Sequence, residues 1–408
     1  MKMILLALGL AVASYGQADG QGNLHWVGSW ASAQQVPESA NSLAPEDLHD
    51  ATLRQIVHLS VGGEMLRVRL SNAFGTTPLH VSSAHIARPG AVASSRIDTT
   101  TDTPLTFAGH ADVTIPAGAA FLSDAVRFHA DGLSSVAVTM HLDDAPAQQT
   151  GHPGSRATSY LTHGAAVSAE ELPDAKKFEH WTMLSGVDVA AGAKAYSVVA
   201  LGDSITDGHG AKTDGNERWT DYLASRLQAS KETQGIGVLN VGIGGNHLLT
   251  DGLGPNALAR FDRDVLAQAG VKYVLVLEGV NDLGALAREK ETTSMQHEAL
   301  VAAIEGAYEQ IVERAHVHGL KVIGGTITPY VGSEYYHPAA ADEADRQKVN
   351  AWIRTPSHFD AFVDFDKAMA DAQAPDRLLP AYDSGDHLHP SPAGYKAMAA
   401  AIPLSFVK

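Results

Sequence analysis

The period of hydrophobic positions changes once along the chain. From residue 24 to about residue 190 apolar residues come in short alternating runs. Met65-Leu66-Arg67-Val68-Arg69-Leu70 puts apolar side chains on one face of an extended backbone and basic ones on the other. Val136-Ala137-Val138-Thr139-Met140-His141-Leu142 reads the same way, and Val81, Ile86, Val113, Ile115 and Val126 seed further short strands. Turn residues recur between them, as in Gly62-Gly63, Arg88-Pro89-Gly90, Pro116-Ala117-Gly118 and Asp131-Gly132. Many short strands separated by turns predict a β-sandwich or jelly-roll-like accessory domain over 24–190.

After a connector at Ala191-Gly192-Ala193 the texture becomes α/β. Strands are predicted at 196–201, 237–241, 271–277, 320–327 and 361–365. Helical spacing appears at 219–227, at 295–318, around Val349, Trp352 and Ile353, and at 393–401. Strand alternating with helix implies a parallel sheet covered by helices, here over 194–408. Ligands of such sheets bind beyond the carboxyl ends of the strands, so the chemistry is sought there. The connector is short, and the β-rich module is therefore expected to pack on the rim of the catalytic site and narrow it.

Composition changes the picture in three places. Residues 1–18 open on Met1-Lys2-Met3, continue as an apolar run and offer a small-x-small cleavage site at Gly16-Gln17-Ala18 or at Ala11-Val12-Ala13, the layout of a secretory signal peptide. The run is too short to span a bilayer, which needs about 20 apolar residues, so a secreted or periplasmic protein without stable membrane insertion is expected. The formal net charge of −17 disfavours nucleic acid as a partner. The absence of cysteine removes thiol catalysis, thiolate metal sites and disulfides together.

Four short blocks follow predicted strands. Gly202-Asp203-Ser204 puts a serine hydroxyl at a strand's carboxyl end, near a helix amino end. Alone it could be a helix cap. Gly242-Ile243-Gly244-Gly245-Asn246 lets backbone amides approach a ligand closely. Gly279-Val280-Asn281-Asp282 offers a side-chain amide. Asp386-His387-Leu388-His389 places a carboxylate three residues before an imidazole, which can hold the ring in the tautomer a general base needs.

These blocks, in this order, resemble those of SGNH hydrolases, also called GDSL esterases and lipases. The resemblance runs from about residue 196 to the end. It implies a flavodoxin-like, three-layer domain and, residue by residue, Ser204 as nucleophile, His389 as general base and Asp386 as its orienting carboxylate. It also implies an oxyanion hole made by the Ser204 amide, the Gly245 amide and the Asn281 side chain. The amino-terminal segments Trp26-Val27-Gly28-Ser29-Trp30-Ala31 and Arg67-Val68-Arg69-Leu70-Ser71-Asn72 resemble the β-rich leader of two-domain bacterial members, some of them carbohydrate (xylan) esterases. The function implied is a serine esterase for short acyl esters of carbohydrates or small alcohols, with no cofactor. A lipase or lysophospholipase, an acyltransferase with the same triad, and a carbohydrate-binding protein with an inactive hydrolase domain are the alternatives.

Other residues compete for roles. His387 neighbours His389, but only His389 has an aspartate three positions earlier. His387 and His389 with Asp383 or Asp386 offer too few ligands for a closed metal site, and none is assigned. Asn246, His247 and Thr328 are candidates for substrate contact. Arg218-Trp219 reads as packing at a helix start. Trp26 and Trp30 fit buried aromatics better than a sugar platform.

Overall fold

The computed structural model describes residues 24–289 and 291–407. The expected signal peptide at 1–18 lies outside the described residues.

The amino-terminal region is built on two larger antiparallel sheets that share a main core. The first orders His25–Ala31, Leu184–Ala191, Gly63–Ser71 and Ala120–Leu122, with Val126–Ala130 also paired to Gly63–Ser71. The second orders Lys176–Phe178, Ser159–His163, Ala51–His58, Ser135–Leu142, Ser83–Pro89 and Ile97–Pro104. Alternation decides which face turns inward. Leu66, Val68 and Leu70 are fully buried, while Arg67 and Arg69 between them are half-buried. They share a core with Leu53, Val138 and Met140 of the second sheet. Burying each such side chain contributes roughly 1.5–3 kcal/mol.

The carboxyl-terminal region is built on a five-stranded parallel sheet. Its order is Ile236–Gly242, Tyr196–Gly202, Val271–Leu277, Lys321–Gly325 and Ala361–Val363. The first strand in sequence is therefore interior and the second is the edge, so the order reverses beside Tyr196–Gly202, where a parallel sheet opens a crevice for ligands. Val271–Leu277 lies between two neighbours and is buried over its last five residues, as its unbroken apolar run requires. The helix Ser294–Val317 opens on a capping box between Thr293 and Gln296.

The last strands are shorter than their apolar runs. Asp364 accepts a hydrogen bond from the Lys367 amide and starts the helix Phe365–Met369, which takes Phe365 out of the strand. The helix Val280–Ala287 was not foreseen. It follows Gly279, held at φ 105°, and carries the Asn281-Asp282 pair.

The two regions are in direct contact. The Gly28 amide donates to Ala269 O at 2.9 Å, and Ser197 Oγ donates to Gly28 O at 3.1 Å. The Val238 amide donates to Ser60 Oγ at 2.9 Å. Among the described residues no helix is long and apolar enough to cross a membrane.

Candidate active site

The nucleophile candidate sits where the strand Tyr196–Gly202 turns into the four-residue helix Ser204–Asp207. The turn is tight enough to demand glycine at 202: a Cβ there would lie 2.1 Å from Thr206 Oγ1 and 2.7 Å from Leu277 O. Asp203 is buried and caps the helix, accepting from the Ile205 amide at 2.8 Å. Ser204 is left at the wall of an open cleft of about 780 Å³.

The block near the carboxyl end meets it there. Ser204 Oγ is 2.8 Å from His389 Nε2, and His389 Nδ1 is 2.6 Å from Asp386 Oδ2. A carboxylate on Nδ1 fixes the hydrogen on that nitrogen and leaves the Nε2 lone pair facing the serine. The Asp386 carboxylate also accepts from the amides of Leu388 and His389, at 3.0 and 2.8 Å. Burial pushes its pKa up, but the hydrogen bonds from the His389 ring and these amides outweigh burial and hold it well below the usual carboxylate range. Asp386 is therefore charged at any working pH.

His387 is not part of this chain of bonds. Its backbone is left-handed, with φ 59°, and its Nδ1 lies 2.5 Å from Asp383 Oδ2. His209, Asp386 and His389 bring one ligand atom each within 4.8 Å of one another, a grouping that could hold a metal ion. The lone pair of His389 Nε2 already faces Ser204, so an ion there would compete with the serine.

The oxyanion candidates line the same cleft. Gly245 has φ 66°, the left-handed region that suits glycine. Asn281 donates through Nδ2 to Asn246 O at 2.6 Å, and its Oδ1 accepts from the Tyr336 hydroxyl at 2.6 Å. The Asn246 carbonyl can only accept, so it sets which end of the amide is nitrogen; the NH₂ group is held at the glycine-rich loop and keeps one more hydrogen, while the Tyr336 hydroxyl donates to the oxygen end. Sequence reasoning missed Tyr336, which lies in no block and is brought to Asn281 only by folding.

Of the three candidates for substrate contact, only His247 lines the cleft. Asn246 is fully buried and faces inward: its Nδ2 donates to Pro255 O at 2.8 Å and its Oδ1 accepts from Arg260 Nε at 2.9 Å. Thr328 is also fully buried, because residues 326–330 run inward after the fourth strand. That segment reaches the cleft only at Glu334, Tyr335 and Tyr336.

Beneath the cleft lies a cluster of charges. Arg260 is 1% exposed and donates to Gly202 O at 3.0 Å, Val241 O at 2.5 Å and Asn246 Oδ1 at 2.9 Å. It also faces Asp264 and Glu278 at 3.2 and 3.4 Å. One buried cation thus joins the ends of three strands, each leading into one block. Burial, then neighbouring carboxylates, raises Asp203 to about 7 and Glu278 well above the ordinary range, against the pull of Arg260. Asp282 accepts from the Leu248 and Leu249 amides at 2.9 and 3.1 Å and ties the third block to the second.

The β-rich region does not narrow the cleft as expected: none of the residues lining it belongs to 24–190. It docks beneath the Ser204 helix instead. A Cβ on Gly154 would lie 1.9 Å from Asp207 Oδ2, so only glycine lets this loop approach. Buried His152 bridges Ala33 O and Asp207 Oδ1, each at 2.8 Å. Arg218, read from sequence as helix-start packing, donates to Asp207 O at 2.7 Å and also to Ser155 O, and so clamps the two regions together. Trp30 is buried edge-on against Trp181, with ring centroids 4.8 Å apart, and Trp26 lies under Arg67.

Residues 200–397 match the model of the GDSL-like lipase/acylhydrolase family. This part of the chain is a GDSL-like lipase/acylhydrolase domain. As such it is a carboxylic ester hydrolase, which implies small-molecule ester substrates. The match begins inside the strand before Ser204 and ends inside the helix after His389, so every block of the GDSL domain falls within it. No curated protein matches the chain in sequence. Among solved structures it is similar to a GDSL-like lipase from Bacteroides thetaiotaomicron, with 22% identity, TM-score 0.38, and coverage of 53% of this chain and 90% of that one. It is also similar to a variant of an acetyl xylan esterase from Geobacillus stearothermophilus, with 24% identity, TM-score 0.38, and coverage of 50% and 92%.

Proposed function

We propose that the chain is a serine esterase that cleaves short acyl esters of carbohydrates or small alcohols through an acyl-enzyme. The observation that carries this reading is the unbroken series Asp386–His389–Ser204, with contacts of 2.6 and 2.8 Å, opening into a cleft.

Ser204 Oγ attacks the ester carbonyl carbon while His389 Nε2 takes its proton. The Ser204 and Gly245 amides and Asn281 Nδ2 receive the oxyanion. Asp386 stays ionised and stabilises the imidazolium. The imidazolium protonates the departing alkoxide, and the alcohol leaves. Water then adds to the acyl-serine with the same base, and the acid is released with Ser204 restored.

The cleft supports the substrate class. Its apolar lining is formed by Leu253, Leu388, Tyr335 and Tyr336, and its polar lining includes His209, His247 and Glu334. A short acyl group suits the former and a hydroxyl-rich alcohol the latter. Residues 194–408 act as the catalytic domain in this reading and 24–190 as an accessory domain. Export, directed by residues 1–18, belongs to the same proposal, and the amino-terminal sequence of protein recovered outside the cytoplasm tests it.

Hydrolysis of a panel of acetylated glycans and of acyl esters of graded length is the decisive experiment. Fastest turnover on acetyl esters is expected. A preference for long acyl chains would favour a lipase, and transfer to an added alcohol in place of hydrolysis would favour an acyltransferase.

A further inference from the structure

The β-rich region is absent from the cleft wall, yet one of its side chains stands a single residue away from the relay. Arg156 lies in the loop that docks under the nucleophile helix. Its backbone is left-handed, φ 47°, an unusual state for an arginine. Its carbonyl accepts from the Asp214 amide at 2.9 Å, and two residues on, Thr158 donates to Asp214 through its amide at 2.8 Å and its hydroxyl at 2.6 Å. The loop is thereby pinned to the GDSL domain at Arg156 and two residues beyond it, and the Arg156 guanidinium reaches His209 Nδ1 at 3.3 Å.

His209 is held as firmly from the other side. Its amide donates to Ser204 O at 2.9 Å, and its carbonyl accepts from the Tyr395 hydroxyl at 2.5 Å. Its ring centroid is 4.1 Å from that of His389, and its Nε2 is 4.0 Å from Asp386 Oδ2. Arginine can only donate, so Nδ1 keeps its lone pair and the ring hydrogen sits on Nε2, on the Asp386 side.

We propose that Arg156 and His209 form a positioning pair for the relay, in which the amino-terminal region holds a neutral ring against His389 and Asp386. The proposal rests on the reading of Ser204, His389 and Asp386 given above. The physical need is specific. When Ser204 attacks, His389 becomes a cation, and a second cation 4.1 Å away would oppose it. The charged or titratable groups around His209 are His389, Arg156, Asp386 and Asp207. Of these, Asp386 is committed to His389, and Asp207 to His152. Burial first, then His389 and Arg156, push His209 down to about 4, so it stays neutral while His389 works. Removing Arg156 frees the Nδ1 lone pair for a proton. A charged His209 would then compete for Asp386 and repel the imidazolium.

The test is a double-mutant cycle on the full-length protein with 4-nitrophenyl acetate, followed across pH. Arg156→Met is expected to lower kcat about tenfold with KM changed less than about twofold, because orientation and not binding is disturbed. Its acidic limb should steepen from one proton toward two. Arg156→Lys should restore most of kcat. His209→Phe keeps the ring but cannot titrate, so its limb stays at one proton, and adding Arg156→Met to it should change kcat by less than about twofold. Losses that multiply in the double variant would overturn the pair, as would an Arg156→Met protein with wild-type kcat and acidic limb. If Arg156→Met does not fold, Arg156→Gly, which suits the left-handed backbone and also removes the guanidinium, carries the same cycle with and without His209→Phe. Ser204→Ala in the same assay separates the two readings. Retained activity there sinks the triad itself, whereas an inactive Ser204→Ala beside a wild-type-like Arg156→Met sinks only the pair.

Discussion

Arg54 in the β-rich half and Arg260 in the parallel half are both buried to within about 1% exposure, and the two are used differently. Arg54, in the strand Ala51–His58, donates to Thr139 Oγ1, to Ser95 O and to the carbonyls of Val167 and Ala169. All its partners are neutral and lie within the β-rich half. It fastens loops over the back of a sheet, and burial lowers it to about 10 against the opposing pull of Asp102. Arg260 also binds carbonyls, but that of Gly202 opens the first block and that of Val241 directly precedes the second, and it is joined by Glu278, Asp264 and the Asn246 side chain. A buried arginine surrounded by neutral acceptors holds a fold. One surrounded by strand ends and acids at the switch point of a parallel sheet holds a site as well. The lesson is that burial of a charge does not tell its use; the identity of the backbone it binds does.

If catalysis belongs to the parallel half, its triad should show the largest effect. Ser204→Ala and His389→Ala are each expected to lower kcat by about 10⁴ to 10⁶ with folding intact, measured by steady-state kinetics beside a thermal melt. An organophosphate should label Ser204, as peptide mapping would show.

The next effect concerns Asn281 and its partner. Asn281→Ala should cost about 10² to 10³ in kcat. Tyr336→Phe removes only the hydroxyl that steadies the amide by donating to its oxygen, and about tenfold is expected. Equal losses in the two would mean that Tyr336 acts in its own right.

The arginines sharpen the comparison itself. Arg260→Met leaves buried carboxylates without their cation and should lower stability by roughly 3–5 kcal/mol. The surviving enzyme should also have a reduced kcat. Arg54→Met strands neutral carbonyls and should cost roughly 2–4 kcal/mol in denaturant unfolding. Its kcat should remain within about twofold of wild type, since Arg54 binds nothing that leads to the cleft. A kcat loss in Arg54→Met as deep as in Arg260→Met would break the distinction.

The smallest effect is one of pH. Asp203 has a raised pKa, about 7, in the folded chain, so the folded state holds a proton that the unfolded chain releases near the ordinary carboxylate value. Stability from this group is full below the ordinary carboxylate range and is lost as pH rises through about 7. Asp203→Asn keeps an oxygen for the Ile205 amide and removes the titration. Its thermal stability should exceed that of wild type by about 1–4 kcal/mol at pH 8 and converge with it at pH 4.

Local pattern determined much of this protein. Alternation at 65–70 and 136–142 marked strands, because a strand with one buried face must alternate. The apolar run 271–277 marked an interior strand, because both its faces are covered. The blocks containing Ser204, Gly245 and Asn281 were legible because each is a short piece of chain just after a strand of the parallel sheet, and the Asp386–His389 block because the tie between them spans a single turn. What only the tertiary structure decided depends on residues far apart in the chain. Asn246 and Thr328 turned inward because the loops that carry them bend under the cleft. Tyr336 became the partner of Asn281, and Arg260 the common tie of three strand ends, by approach across the sheet. The β-rich half came to lie beneath the Ser204 helix and not over the cleft, through Gly154, His152 and Arg218. No periodicity reports such meetings, because a period records which face of its own element a residue occupies and not what that face will touch.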